Sequence, residues 1–348
     1  MKKKILTSVI LFAFSSTFVI GLYKISEKIN HHSNNFIRLF PPHIALLSKI
    51  TDIRYNSYYI AGATAKEIYL GNNTAPLHVL KTDRAFSDTQ HLTISFIHAP
   101  KLSATLLTID SPYFYLSDFN THSIYRGQME TLSANEKIQD NLFFDEAVPI
   151  SGNTLALRAI KKDALEYTLG KKNLYPSFFR SNPDLLEKQI DGIFSTDGIL
   201  NYEPAKHILV YTYYYRNQYI CMDTNLNLIY RGKTIDTTSV AKIKLGKINS
   251  ENQVTFSAPP LMVNKYCSVT GDNLFINSTL RAKNENEKSA EGTSVIDVYD
   301  LKKGIYRFSF YISGYADYKL KSFRVFQHKF IGIFDHYLIS YDLNPEYF

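Results

Sequence analysis

The most regularly placed acids in this chain stand where one short apolar strand gives way to a turn. Asp118, Asp223, Asp300 and Asp342 follow runs such as Phe114-Tyr115-Leu116-Ser117 and Tyr219-Ile220-Cys221-Met222. Carboxylates repeated at one point of a circular array could ring a cation. The same residues have a simpler use, because Asp or Asn opening a turn accepts bonds from backbone N–H groups just beyond it. One acid per repeat is what that role requires, so the turn reading takes precedence. Arg126, Arg231 and Arg307 recur in the same way, at the end of the strand after the turn. They could form a basic rim for an anionic partner, but read first as stems covering apolar surface at sheet edges.

The remaining chemistry is diffuse. Ten histidines are scattered, with no HExxH and no paired spacing that would bring two imidazoles onto one helix face. Asp335-His336 falls on an apparent strand, where neighbouring side chains point to opposite faces and cannot form a relay. No GxSxG, GxGxxG or GxxxxGK[ST] occurs, and Ser151-Gly152-Asn153 and Thr270-Gly271-Asp272-Asn273 read as turns. Tyr211-Thr212-Tyr213-Tyr214-Tyr215 could wall a binding site, but alternation leaves at least half of it to sheet packing. Cys221 and Cys267 lie in apolar strands of consecutive repeats. They read first as buried thiols, with a bridge between sheets left open. No catalytic, cofactor-binding or metal-ligating residue is assigned, and no cofactor is expected.

The elements that must position these residues repeat along the chain. Phe114 to Gly127 and Tyr219 to Gly232 share a strand, an Asp turn, a second strand and a closing Tyr-Arg-Gly; Val295 to Arg307 is a third copy with a turn one residue shorter. Weaker units centre on Asn72 and Lys161, and the last ends at Asp342. The intervals between centres are 46, 43, 62, 77 and 42 residues, which suits one four-stranded sheet per repeat. Six sheets result, and a seventh would have to hide in the longest interval. Strands are also expected at 91–98, 206–214, 272–278 and 323–335, a helical turn or two at 185–190, and insertions at 242–260 and 281–292, the second as a solvated loop. Only five residues follow Leu343, so closing the ring needs a strand from the other end of the chain. Residues 44–54 are the donor, sharing a sheet with 323–343.

The N-terminus has an export layout: Met1-Lys2-Lys3-Lys4, then an apolar run from Ile5 to Tyr23. The run is just long enough to span a bilayer, and no Ala-x-Ala cleavage site follows. Residues 1–23 are expected to be a signal anchor or signal peptide, 24–43 a tether, and 44–348 the folded domain. Five Lys and one Glu in residues 1–28 supply more than half of the formal charge of +7. The body has no Lys/Arg stripe, and nucleic acid is not an expected partner. With 26 Tyr, 23 Phe and no Trp, composition favours strands.

From residue 44 to the end, the repeated strand–Asp-turn–strand unit behind an export signal resembles the exported bacterial β-propellers of the six-bladed TolB-like kind. The resemblance implies an all-β, six-bladed propeller following an N-terminal hydrophobic helix, with partners bound at the mouth of the central channel. It implies no specific chemistry. The expected role is a non-catalytic binding or scaffold module in the cell envelope. It would be anchored through residues 5–23 facing the periplasm, or periplasmic or secreted if cleaved, and would hold a protein, small molecule or glycan. The alternative is a propeller hydrolase or lyase, or a propeller subunit of an extracytoplasmic redox complex. An enzyme should show a pocket with titratable groups that perturb one another; a channel lined with uncharged aromatics would favour binding.

Overall fold

The computed structural model describes residues 2–30, 34–98, 100–139, 142–161, 164–248, 253–286 and 292–348. Among them are six four-stranded antiparallel sheets and one two-stranded ribbon. The innermost strands are Tyr58–Ala63, Thr105–Asp110, Phe143–Ser151, Gly198–Glu203, Asn264–Thr270 and Ser322–Phe326. Each contacts the next in this order, and the sixth contacts the first, so the sheets are blades around a closed ring. The chain is a six-bladed β-propeller.

Five blades use four consecutive strands from the centre outward. The sixth takes Ser322–Phe326, Lys329–Phe334 and Tyr337–Leu343 from the C-terminal end and Ala45–Asp52 as its outermost strand. Ala45 pairs with Leu343, Ile50 with Ile339 and Asp52 with Tyr337. The expected latch therefore forms, and buried Ile44 joins a core with Phe330, Ile339, Tyr341 and Leu343.

The inner strands all begin on one face of the disc, here the entry face, and end on the other, the exit face. This resolves the uneven repeat intervals. Asn72 and Asp118 end the second strands of blades one and two, whereas Asp223 and Asp300 end the third strands of blades four and five. The repeat slips by one strand across blade three, and its turns change face. The glycine closing Tyr-Arg-Gly has a steric cause. Gly127 pairs with Phe114 and Gly232 with Tyr219, and a Cβ at either would lie within 2.3 or 2.1 Å of the partner ring.

Several expectations need correction. Residues 185–190 form bends and irregular backbone rather than helix, because Leu185 and Leu186 are pinned in the core between blades three and four. The 242–260 insertion contains its own ribbon, Leu245–Ile248 with Gln253–Phe256. In the 281–292 insertion Ala282 and Glu285 are buried, not solvated; positions 287–291 lie outside the described residues. Blade five brackets this insertion, and the 77-residue interval holds no seventh blade among the described residues.

The tether assigned to 24–43 divides. The helix Lys2–Asn30 runs through its first part, and residues 34–43 dock on blade five as an extended strap. Phe36 and Arg38 point inward while Ile37 and Leu39 are exposed. Arg38 is the pin. Its Nε and Nη2 donate to Asp297 at 2.7 and 3.0 Å, and its Nη1 donates to Leu280 O at 2.8 Å and to Glu285. All three charged side chains are at most 2% exposed. Burial alone would lower the Arg38 pKa, but the two carboxylates outweigh it and hold the guanidinium charged.

Candidate binding mouth of the central channel

The repeated acids do not converge. Asp118 is buried at an entry-face turn, accepting from Ser103 N and Thr121 N at 2.8 Å and from the hydroxyls of Thr105 and Thr121. Asp223 caps the N–H groups of Asn225 and Asn227, and Asp300 those of Lys302 and Lys303, at exit-face turns. Asp342 opens no turn: it lies within a strand and pairs with Lys329 at 2.6 Å, because the incoming N-terminal strand replaces the turn it would have started. A ring of four carboxylates is therefore ruled out by topology. The three arginines hold neighbouring backbone: Arg126 reaches Gly152 O, Arg231 reaches Asp184 O and Leu185 O, and Arg307 reaches Tyr347 O.

Tyr211, Tyr213 and Tyr215 are core residues, with the Tyr211 hydroxyl donating to Thr196 O at 2.7 Å. Cys221 and Cys267 are free, buried thiols, pushed up by burial to about 11 and about 12. Asp335 and His336 form a hairpin turn rather than a strand, with Asp335 at φ 53°, so His336 Nδ1 and Asp335 Oδ2 meet at 2.8 Å. This pair sits between the second and third strands of blade six, away from the channel. His78 and His91, distant in type and spacing from any motif, meet at 3.2 Å beside Tyr58. Among the described residues no three His, Cys, Asp or Glu side chains group as metal ligands do.

The chemistry that does converge lies at the exit mouth. The last residues of the inner strands enclose a cavity of about 320 Å³. Arg84, Asp110, Glu203 and Arg324 are its charged walls, with Tyr202, Phe326 and Gln327 among the others. Each charged group reaches the mouth for a local reason. Asp110 and Glu203 close inner strands, Arg324 is the third residue of one, and Arg84 follows the third strand of blade one, which also ends at this face. Arg84 lies 5.5 Å from the Phe326 ring and donates from Nη2 to Thr64 O at 2.5 Å, while its buried Nε has no partner. Arg324 donates from Nη1 to Asn201 Oδ1 at 2.5 Å. Burial raises the Asp110 pKa; it also raises that of Glu203, against bonds from the N–H groups of Ala205 and Gly271. Burial likewise lowers that of Arg84. The mouth is thus charged rather than lined with uncharged aromatics, and its acids are perturbed by desolvation, not by each other.

Deeper in the ring, Glu146 accepts from Leu200 N at 2.9 Å through Oε1, while Oε2 is buried without a partner. Burial pushes this carboxyl up to about 7, against the pull of Arg158. Arg158 is committed to Asp145 at 2.8 and 2.9 Å and to Asp197. Sequence reading assigned none of these residues. The available signal was positional: Arg84, Asp110 and Glu203 stand at or next to the end of an apolar strand on one face, and Arg324 two residues before one.

These blades and this mouth define a β-propeller with a charged axial cavity. No family model matches the sequence, and no curated protein matches it. Solved structures share the fold. A DUF4221 family member from Bacteroides vulgatus superposes with TM-score 0.54 at 11% identity, over 90% of this chain and 99% of that one. A candidate exported protein of Bacteroides fragilis gives 0.50 at 8% identity, over 90% and 95%. A Bacteroides thetaiotaomicron protein of unknown function gives 0.50 at 11%, over 90% and 76%. At such identities the likeness concerns fold alone.

Proposed function

We propose that this protein is an exported propeller, held to the outer side of the cytoplasmic membrane by its N-terminal helix, that binds a partner at the exit mouth without transforming it. One observation carries the reading: four charged groups share the mouth, yet among the described residues none is paired with a nucleophile or a histidine base. Cys267 is a poor nucleophile, because a thiol raised to about 12 is not ionised at neutral pH.

The anchor rests on the helix. Ile5–Leu22 has a mean hydropathy of 2.2, and three lysines precede it. Only residues 31–33 separate that helix from Asn34, whose N–H donates to Arg281 O on the entry side of blade five. Counted from Leu22, eight helical residues and three more precede Asn34, a reach of roughly 25 Å, so the entry side would be the tethered one and the exit mouth would open away from the bilayer. The test is a photo-crosslinking amino acid at Gln327, on the mouth, against one at Asn225, on an outer exit-face turn, in intact membranes. A discrete adduct from Gln327 alone is expected; matching adduct patterns from both positions would overturn the assignment.

A further inference from the structure

We infer that the exit mouth takes a small zwitterion, of amino-acid to dipeptide size, with its carboxylate toward Arg84 and Arg324 and its ammonium toward Asp110 and Glu203. The inference rests on the reading of the mouth as a binding site and adds the chemical class of its occupant.

Ring order supplies the first argument. Arg324 and Arg84 belong to blades six and one, which are adjacent; Asp110 belongs to blade two, next to blade one, and Glu203 to blade four, opposite blade one. Between the two acids, blade three offers only Val148 and Pro149 to the cavity. The cavity therefore carries two cations from neighbouring blades and two carboxylates further round the ring, one of them opposite Arg84.

The second argument is that these charges do not satisfy one another. Among the described residues, neither guanidinium has a carboxylate within ion-pair distance, and neither acid has a cation there. Lys206, the cation next in sequence to Glu203, is drawn to Asp272 at 2.8 Å. Burial, with no opposing charge, accounts for the raised Asp110 and the lowered Arg84. Unpaired charges in a partly desolvated cavity are costly, and a ligand that brings one counter-charge to the cations and another to the carboxylates removes that cost.

The third argument is preorganisation. Thr64 O and the Phe326 ring hold Arg84 on one side, and Asn201 holds Arg324, so each fork keeps donors free for an incoming carboxylate. The Arg84 Nε is already buried and unpartnered. A volume of about 320 Å³ stands at the low end for ligand pockets, which suits a molecule of one or two residues.

The experiment measures binding of the dipeptide Ala-Ala to the full chain in detergent, by calorimetry and saturation-transfer NMR. The N-acetylated, C-amidated dipeptide, which carries neither charge, is the control. Saturable binding of the free dipeptide alone is expected. Arg84→Gln with Arg324→Gln, and separately Asp110→Asn, should each weaken it by roughly tenfold or more, the loss of one or two charge-assisted bonds. Unchanged melting temperatures establish that the variants fold, and Arg324→Lys should retain part of the affinity. Equal binding of the capped dipeptide, indifference to these substitutions, or no saturable binding would overturn the inference. If the Gln327 adduct forms while the wild-type protein shows no saturable dipeptide binding, the zwitterion is wrong and the mouth reading stands. Loss of the adduct in wild-type membranes would remove the mouth reading itself.

Discussion

Replacing Arg38 with alanine should be the most damaging single change outside the blades' apolar packing. The guanidinium fills a site where Asp297 and Glu285 are 2% and 1% exposed, and it makes four side-chain bonds there. Its removal leaves two buried carboxylates without a counter-charge, which costs about 3–5 kcal/mol for a broken buried pair. The acids keep some partners: Ser309 for Asp297, and Tyr311 and Ala282 N–H for Glu285. These hold the loss within that range. The strap should also detach, exposing Phe36 and the face of Tyr311 that now stacks on Phe40 at 4.6 Å. Urea denaturation of the full chain in detergent, followed by far-UV circular dichroism and tyrosine fluorescence, measures the change; there is no Trp to use. Arg38→Met combined with Asp297→Asn and Glu285→Gln should be closer to wild type than the single variant. A loss below about 1 kcal/mol, or a triple variant no better than Arg38→Ala, would refute the account of the strap as pinned by a buried charge cluster.

Glu146 supplies a pH dependence. Its folded pKa of about 7 lies above the unfolded value, so stability is highest at acid pH and falls as pH rises from about 4.5 to 7, by about 3 kcal/mol in all. Glu146→Gln should therefore match wild type near pH 4 and exceed it at pH 8 in denaturant titrations. The turn acids should separate: Asp118→Ala, which strands buried donors, is expected to cost about 2–4 kcal/mol, and Asp342→Ala at its exposed ion pair less than about 1 kcal/mol. Cys221 and Cys267 should resist iodoacetamide until the protein is unfolded, and dithiothreitol should leave the melting temperature unchanged. A chain beginning at Ile53 lacks the outer strand of blade six, bares the Tyr337–Leu343 edge, and should aggregate rather than run as a monomer in gel filtration.

The local pattern carried the architecture because a strand and its turn are written in adjacent residues. Phe114 to Gly127 declares a hairpin by alternation, an Asp at the turn and a glycine opposite an aromatic, and Tyr219 to Gly232 repeats it. The latch was legible as well, since the open edge of the last sheet needs a partner strand and residues 44–54 were the apolar stretch left over. The phase of the repeat was not, because the second-to-third and third-to-fourth turns of a blade share the same chemistry. Only pairing tells Asp118 from Asp223. Arg38 gave no signal either, as its partners lie 247 and 259 residues away in sequence. For the mouth, the chain fixed which residues end each inner strand. Closure of the ring alone brought Arg84, Arg324, Asp110 and Glu203 to one cavity from four different blades, since charges meet on the axis only when six separate strands converge there.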